Sequence, residues 1–211
     1  MFGYCGNNPT CYTDPLGYLR YDVATCSVAD ADWGRRAAAF LEPIYYHNDG
    51  FINGQGTFAF AQEAFGLGTY ANNGCGTIAV YNAMQLLGKP TSLGMITDEL
   101  INIGGLIAGG TMGITPGSIR DYFISRGISC DGYVSFDSLS NNVQEGSIII
   151  FVVLNNAHTI LGGAHYMAAQ YCGGQYNIYN MYNDWTGTAQ RRSLCQPYGY
   201  SGYLYGYIIG G

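Results

Sequence analysis

The 211-residue chain has few charged side chains, and basic ones are especially scarce. Charged residues make up 10% of the sequence, against roughly 25% in a typical soluble domain. Eight Lys and Arg stand against fourteen Asp and Glu, which gives a formal net charge of -6. A nucleic-acid-binding surface needs clustered cations that replace counterions on the phosphates. The composition therefore argues against a nucleic-acid partner, a nuclease included, and against electrostatic attachment to anionic lipid.

Long apolar runs are also missing from the sequence. The longest strongly apolar run extends from Ile148 to Leu154, whereas a membrane-spanning helix needs roughly 20 residues. We therefore expect no membrane-spanning segment. The first five residues, Met1 to Cys5, contain no basic patch followed by an apolar stretch, so no signal peptide is predicted in this fragment.

Metal and cofactor motifs are absent from the sequence as well. The seven cysteines include no CxxC pair, which excludes a zinc ribbon or a thioredoxin-like motif in its usual form. The glycine-rich stretch from Gly104 to Gly110 is not followed by the Gly-Lys-Ser/Thr of a phosphate-binding loop. We therefore predict neither a metal nor a cofactor.

The first 26 residues are dense in turn formers, and two X-Pro pairs bias the preceding residues away from helix. This segment resembles the end of the RHS repeat-associated core, in which an Asn-Asn-Pro turn is followed by Asp-Pro-x-Gly. The matching residues are Tyr4, Asn7, Asn8, Pro9, Asp14, Pro15 and Gly17. The resemblance implies that residues 1–26 end such a core and that residues 27–211 form an effector or toxin domain of an exported, cell-surface or secreted protein. It also implies delivery into target cells and an immunity protein as a partner.

Hydrophobic periodicity predicts helices in the first part of the remaining chain and strands in the second. Helices are expected at 30–40, 59–65, 75–87, within 92–103, and from the N-cap Thr115 to Gly127, with a turn at 72–74. Strands are expected at 147–154, 164–171, 175–181 and 203–209, the middle two forming a hairpin around Gly173 and Gly174. Helices followed by an antiparallel sheet are the α+β pattern of segregated layers.

The residues with the clearest chemical signature are Cys75 and His165. Cys75 lies in the segment Asn73-Gly74-Cys75-Gly76, which predicts a thiol at the first turn of a helix. Free amides and the partial positive charge there favour thiolate over thiol. His165 follows 90 residues later at the start of a predicted strand, where it can serve as the base that activates the thiol. Each residue alone is also compatible with a buried core side chain.

A third polar residue is expected to orient the histidine. The next strand carries Asn180, Asn183 and Asp184 at its far end, and any of them can accept a hydrogen bond from the imidazole. Asn180 is preferred because it ends the alternating part of the strand. Asn183 and Asp184 remain alternatives and are equally typical of a turn. The other two histidines, His47 and His158, do not open a strand.

Taken together, residues 72–185 resemble the papain-like cysteine peptidases, most closely the bacterial C39-like branch. The resemblance rests on Cys-Gly at a helix start, Gly-x-His-Tyr on a strand, an Asn-ended strand, and the order of these residues. It implies that Cys75 is the nucleophile, His165 the general base and then acid, and Asn180 the orienting residue, with a peptide or protein as substrate. The family often has a Gln six residues before the nucleophile, where this chain has Thr69. Asn73 or Asn72 can supply the oxyanion-hole amide instead.

Two other functions remain compatible with the sequence. The same triad can transfer the acyl group or deamidate a side chain, in the manner of a transglutaminase, deamidase or acetyltransferase. Alternatively, the domain is a catalytically degenerate binding module in which Cys75 is buried and the tyrosine-rich C-terminal region makes the contacts.

Overall fold

The computed structural model describes residues 50–110, 112–155, 163–195 and 202–210, and all of them belong to one compact unit of the chain. In these ranges the helices are α1 (Tyr70–Asn73), α2 (Cys75–Leu86), α3 (Leu93–Asn102), α4 (Pro116–Ile124) and α5 (Phe136–Ser140), with a 3-10 turn at Ala108–Gly110. The strands are β1 (Ala64–Phe65), β2 (Gly68–Thr69), β3 (Cys130–Tyr133), β4 (Ile148–Leu154), β5 (Ala164–Cys172), β6 (Gln175–Tyr179), β7 (Ala189–Arg191) and β8 (Tyr203–Ile209). The predicted α+β class is confirmed.

Strands β3 to β8 form one antiparallel sheet in the order β3-β8-β4-β5-β6-β7. The strand β4 lies between β8 and β5 and reads as an unbroken apolar run because both faces of the sheet are covered. On one face, Ile149, Phe151 and Val153 join a buried cluster that includes Leu139 of α5. The other face packs against α2.

The helix α2 is the central helix of the structure. Its residues from Cys75 to Met84 are all buried, and it contacts β4 and β5 on one side and α3 on the other. A helix that is apolar on all sides is buried on all sides. The helix ends as predicted, because Gly88 adopts a φ of +66° and the following amide of Lys89 bonds to the carbonyl of Met84.

The next helix, α3, lies within its predicted range, and α4 begins directly after its predicted N-cap. The Ser92 hydroxyl accepts a hydrogen bond from the Met95 amide (3.3 Å), and the Thr115 hydroxyl accepts one from the Ser118 amide (3.2 Å). Three apolar residues of α4 are fully buried, namely Ile119, Tyr122 and Phe123. The four predicted strands are present with small differences at their ends.

Two local predictions are wrong. Residues 59–65 form turns and the strand β1 instead of a helix, because their carbonyls bond elsewhere: the Ala61 carbonyl accepts from the Ala71 amide (2.7 Å) and that of Glu63 from the Tyr70 amide (3.2 Å). Residues 72–73 belong to the helical turn α1 and not to the predicted turn at 72–74, and only Gly74 separates α1 from α2.

Several predictions fall outside the described residues. These are the boundary between residues 26 and 27, the RHS-like segment, the helix at 30–40, and the positions of His47 and His158. Within the described ranges, no helix has the length and apolar content that crossing a bilayer requires.

Candidate active site

Cys75 is the first residue of α2 and lies at the junction of the helix with the sheet. Gly74 separates α1 from α2, and a side chain at this position would press on the backbone of Tyr70, 2.9 Å from both its Cα and its carbonyl oxygen. The thiol is 8% exposed and accepts hydrogen bonds from backbone amides, including that of Tyr166 in β5. The nucleophile candidate therefore contacts the strand residue that directly follows His165.

Burial dominates the ionisation of this thiol. Removal from water raises the pKa of Cys75 above its ordinary value of 9.0, while the hydrogen bonds from the amides of Tyr166 and Gly76 oppose this effect. The sequence predicted a lowered pKa from the position at a helix N-terminus. That prediction is wrong for the resting structure, because desolvation outweighs the favourable amides.

His165 lies in the first part of β5, beyond the end of the ladder with β6. That ladder extends only from Cys172 and Gln175 to Ala168 and Tyr179. Directly after Tyr179, Asn180 adopts a φ of +58°. Asparagine tolerates this left-handed conformation better than most residues. The turn sends its carbonyl toward the histidine, and His165 Nε2 lies 2.7 Å from the Asn180 backbone oxygen.

This contact fixes the tautomer of a neutral imidazole. A carbonyl oxygen only accepts hydrogen bonds, so Nε2 carries the proton and Nδ1 presents the lone pair. His165 is 6% exposed, and burial lowers its pKa below 6.5, although the Asn180 carbonyl counteracts part of that effect. The resting site therefore combines a protonated thiol with a neutral histidine.

The structure separates the three candidates for the orienting residue. Asn180 is fully buried and contacts His165 through its backbone carbonyl, not through the side chain that a triad residue would use. Asn183 and Asp184 are exposed in the following loop. The Asn183 carbonyl accepts a hydrogen bond from the Gly56 amide (2.7 Å), so its backbone has a role in holding this loop.

The oxyanion-hole candidates lie directly before the nucleophile. Asn72 is exposed, and Asn73 is half-buried with its side-chain amide packed against Gly68, the first residue of β2. Thr69, six residues before Cys75, has a buried hydroxyl without a hydrogen-bond partner in the described part of the chain.

Two buried amides near Asn180 were not predicted from the sequence. Asn53 and Gln55 are 3% and 2% exposed, and both hydrogen-bond to Asn180 from more than 120 residues away. They belong to a segment without hydrophobic periodicity. No local pattern in the sequence identifies them.

The structure supplies, on neighbouring elements, the groups that nucleophilic chemistry on a carbonyl group needs. It combines a thiol at the start of a helix, a neutral imidazole with a defined tautomer on the adjacent strand, and backbone amides beside the sulfur. Among the described residues, no group of three or more His, Cys, Asp or Glu side chains is arranged to hold a metal ion.

Comparison with known proteins gives structural neighbours only. No family model and no curated protein matches the chain. One similar structure is the peptidase domain of Streptococcus ComA, a bifunctional ABC transporter involved in a quorum-sensing pathway. That similarity covers 65% of this chain and 91% of the other, with 13% identity and a TM-score of 0.47. A second is a double-glycine-motif protease from an AMS/PCAT transporter, in complex with the leader peptide. It covers 64% of this chain and 82% of the other, with 12% identity and a TM-score of 0.42.

Proposed function

We propose that the chain is a papain-like cysteine peptidase or amide hydrolase that acts on a peptide or protein. In this proposal Cys75 is the nucleophile, His165 the general base and then acid, and Asn180 the group that orients the histidine. One observation carries the proposal. The buried Cys75 thiol accepts a hydrogen bond from the Tyr166 amide, and the residue before Tyr166 is His165, which contacts the Asn180 carbonyl.

In the proposed reaction, Cys75 Sγ attacks the carbonyl carbon of the scissile amide as its proton moves to His165. The carbonyl π-bond becomes an oxyanion, which the Cys75 amide stabilises together with the side chain of Asn73 or Asn72. Collapse of this intermediate breaks the C–N bond, and His165 delivers its proton to the leaving amine. Water, deprotonated by His165, then hydrolyses the thioester, releases the carboxylic acid and restores the thiol.

The ionisation of the resting site supports general-base attack over a preformed ion pair. Burial raises the pKa of Cys75 and lowers that of His165, so both groups are neutral near pH 7. Proton transfer then accompanies attack, and the Asn180 carbonyl stabilises the imidazolium that forms.

The proposal is tested with a peptide library in water enriched in H2¹⁸O. Hydrolysis of a thioester intermediate places ¹⁸O in the new carboxyl group, which mass spectrometry detects. We expect cleavage by the wild-type chain and none by Cys75→Ala. Cys130→Ala serves as the matched control, because Cys130 is equally buried but lies in β3.

The other outcomes of the same experiment distinguish the alternatives. Acyl transfer would join a peptide to an added amine without ¹⁸O, and deamidation would convert Gln to Glu with ¹⁸O but no chain cleavage. No reaction of any of these kinds in a folded wild-type chain would overturn the catalytic proposal and leave a binding module.

We further propose that the domain acts as an effector of an exported RHS-type protein and that an immunity protein neutralises it. The support for this role is the motif resemblance between Tyr4 and Gly17. Expression of the chain inside bacteria is expected to slow growth, and Cys75→Ala is expected to abolish the effect. Equal growth with both forms, at equal protein levels, would count against the toxin role.

A further inference from the structure

The strap, residues 50–55, is a segment without helix or strand that bonds to three separate parts of the candidate active site. Two of its polar side chains, Asn53 and Gln55, are almost completely buried, at 3% and 2% exposure. Burying an amide side chain is unfavourable unless its polar atoms are hydrogen-bonded. The partners of these side chains therefore indicate what the strap is built to hold.

One end of the strap is attached to α2. The Asn82 side chain forms two hydrogen bonds with the backbone of Ile52, accepting from its amide (2.9 Å) and donating to its carbonyl (2.8 Å). The Tyr81 hydroxyl donates to the Gly50 carbonyl (2.9 Å). Asn82 is fully buried, so the strap is fixed to the helix that begins with Cys75.

The other end is attached to Asn180. Asn53 Oδ1 accepts a hydrogen bond from the Asn180 backbone amide (2.7 Å), and Gln55 Oε1 accepts one from Asn180 Nδ2 (3.2 Å). Gln55 Nε2 donates in turn to the carbonyl of Ala71 in α1 (3.0 Å). These bonds link the helical turn before Cys75 to the residue that contacts His165.

The direction of each bond follows from groups that have only one role. The Ala71 carbonyl only accepts, so Gln55 must turn its NH2 group toward it and its oxygen toward Asn180. Asn180 must then present its own NH2 group, which leaves its Oδ1 buried without a hydrogen-bond partner among the described residues. His165 Nε2 lies against the Asn180 backbone carbonyl and not against this side-chain oxygen.

We propose that Asn53 and Gln55 are positioning residues that hold the Asn180 carbonyl against His165 Nε2 and tie it to the segment carrying Cys75. The catalytic consequence of this inference rests on the proposed function, whereas the hydrogen-bond geometry does not depend on that function. Asn180 is held in a left-handed conformation, and the strap bonds both its amide and its side chain. Loss of either bond lets the carbonyl move away from the imidazole.

The test measures the His165 Nε2 proton directly by NMR, in the full chain. The resonance is assigned by its loss in His165→Ala. In the wild type we expect slow exchange of this proton with solvent, since the group is buried and bonded to a carbonyl. In Asn53→Ala and Gln55→Met we expect exchange faster by about tenfold, as for the loss of one hydrogen bond. The control Thr97→Val removes a buried hydroxyl that bonds to Tyr70 and Leu93, and its exchange rate should remain at the wild-type value.

A conservative variant separates positioning from general loosening. In Gln55→Glu, a protonated carboxyl can donate to the Ala71 carbonyl and accept from Asn180, whereas an ionised one cannot donate. We therefore expect protection to be restored at acidic pH and lost as the carboxyl ionises. Wild-type protection at every pH in all three strap variants would overturn the inference, as would equal loss in Thr97→Val. If Asn53→Ala does not fold, Gln55→Glu alone decides through its pH dependence.

Activity provides the second readout and keeps the two proposals distinguishable. With a substrate from the peptide library, kcat should fall in the strap variants by about the same tenfold, while KM changes little. Faster proton exchange in the strap variants, together with no hydrolytic activity in the wild type, would retain the positioning role and reject the peptidase. Normal exchange with normal kcat would reject the positioning role and retain the peptidase.

Discussion

The orienting group for His165 is a backbone carbonyl, so replacing the Asn180 side chain should not have the effect of removing a triad side chain. Asn180→Gly keeps the carbonyl and adopts a φ of +58° without strain. It loses the bond from Nδ2 to Gln55, which leaves a buried oxygen without its donor at a cost of about 1–3 kcal/mol. Asn180→Ala loses the same hydrogen bond. It is destabilised by about a further 1–2 kcal/mol, because alanine has a β-carbon that disfavours the left-handed conformation.

These magnitudes predict an order of stability and a limit on the loss of activity. Urea denaturation should rank the wild type above Asn180→Gly, and Asn180→Gly above Asn180→Ala. Hydrolysis of an activated ester should fall by about tenfold in Asn180→Gly, comparable to Gln55→Met, because the carbonyl is still held through the Asn53 bond. The assay requires only folded protein and a chromogenic leaving group.

The contrasting result is a large loss of activity in a well-folded glycine variant. If the side-chain oxygen of Asn180 oriented the imidazole, Asn180→Gly would reduce kcat by roughly two or more orders of magnitude. Such a loss, with the variant as stable as predicted, would refute the assignment of the carbonyl.

Three further predictions follow from burial and from backbone geometry. Gly74→Ala should destabilise the fold by about 1–3 kcal/mol, because the added β-carbon would press on the Tyr70 backbone. Gly117→Ala should instead stabilise α4 by up to about 1 kcal/mol, because its added β-carbon meets nothing within 4 Å. Urea denaturation of both variants measures these changes, and equal effects on the free energy of unfolding would contradict the prediction. Burial lowers the pKa of His165 below 6.5, so its contribution to the free energy of unfolding is present above pH 6.5 and is lost as the pH falls toward the folded-state pKa. His165→Gln should remove that part of the dependence of stability on pH. An unchanged slope of the free energy of unfolding against pH would be inconsistent with a buried neutral imidazole. The pKa of Cys75 is raised above 9.0, so at pH 9.0 its alkylation by iodoacetamide should proceed at less than half of the maximum rate reached at high pH. Peptide mass spectrometry measures this rate. A maximum already reached at pH 7 would disprove the raised pKa.

The elements that the sequence predicted are those with strong local signals. The helix α4 is an example, because Thr115 caps it, Pro116 opens it and its apolar residues recur at helical spacing. The hairpin of β5 and β6 is another, because two glycines of positive φ separate two alternating segments. In both cases neighbouring residues carry the information.

The parts that the sequence did not predict depend on distant partners. One segment contains buried apolar residues at helical spacing, namely Phe58, Ala61 and Phe65. It nevertheless forms turns, because its carbonyls accept hydrogen bonds from amides of α1. Asn53 and Gln55 reach Asn180 from more than 120 residues away, so no local pattern reveals them.

The same limit applies to the chemistry of the site. The sequence identified Cys75 at a helix N-terminus and predicted a lowered pKa, but the degree of burial, which reverses the sign, depends on how α2 packs against the sheet. It also identified Asn180 at the end of a strand. Whether its side chain or its backbone faces His165 is decided by the φ of one residue.

Trapping the acyl group on Cys75 tests the proposed mechanism at its first covalent step. The chain is mixed with a p-nitrophenyl ester of a short peptide, quenched with acid at successive times, digested, and the modified residue located by mass spectrometry. We expect a transient acyl adduct on Cys75 that is absent in Cys75→Ala and forms much more slowly in His165→Gln. An adduct on another cysteine, or formation on Cys75 at an unchanged rate without His165, would contradict the mechanism.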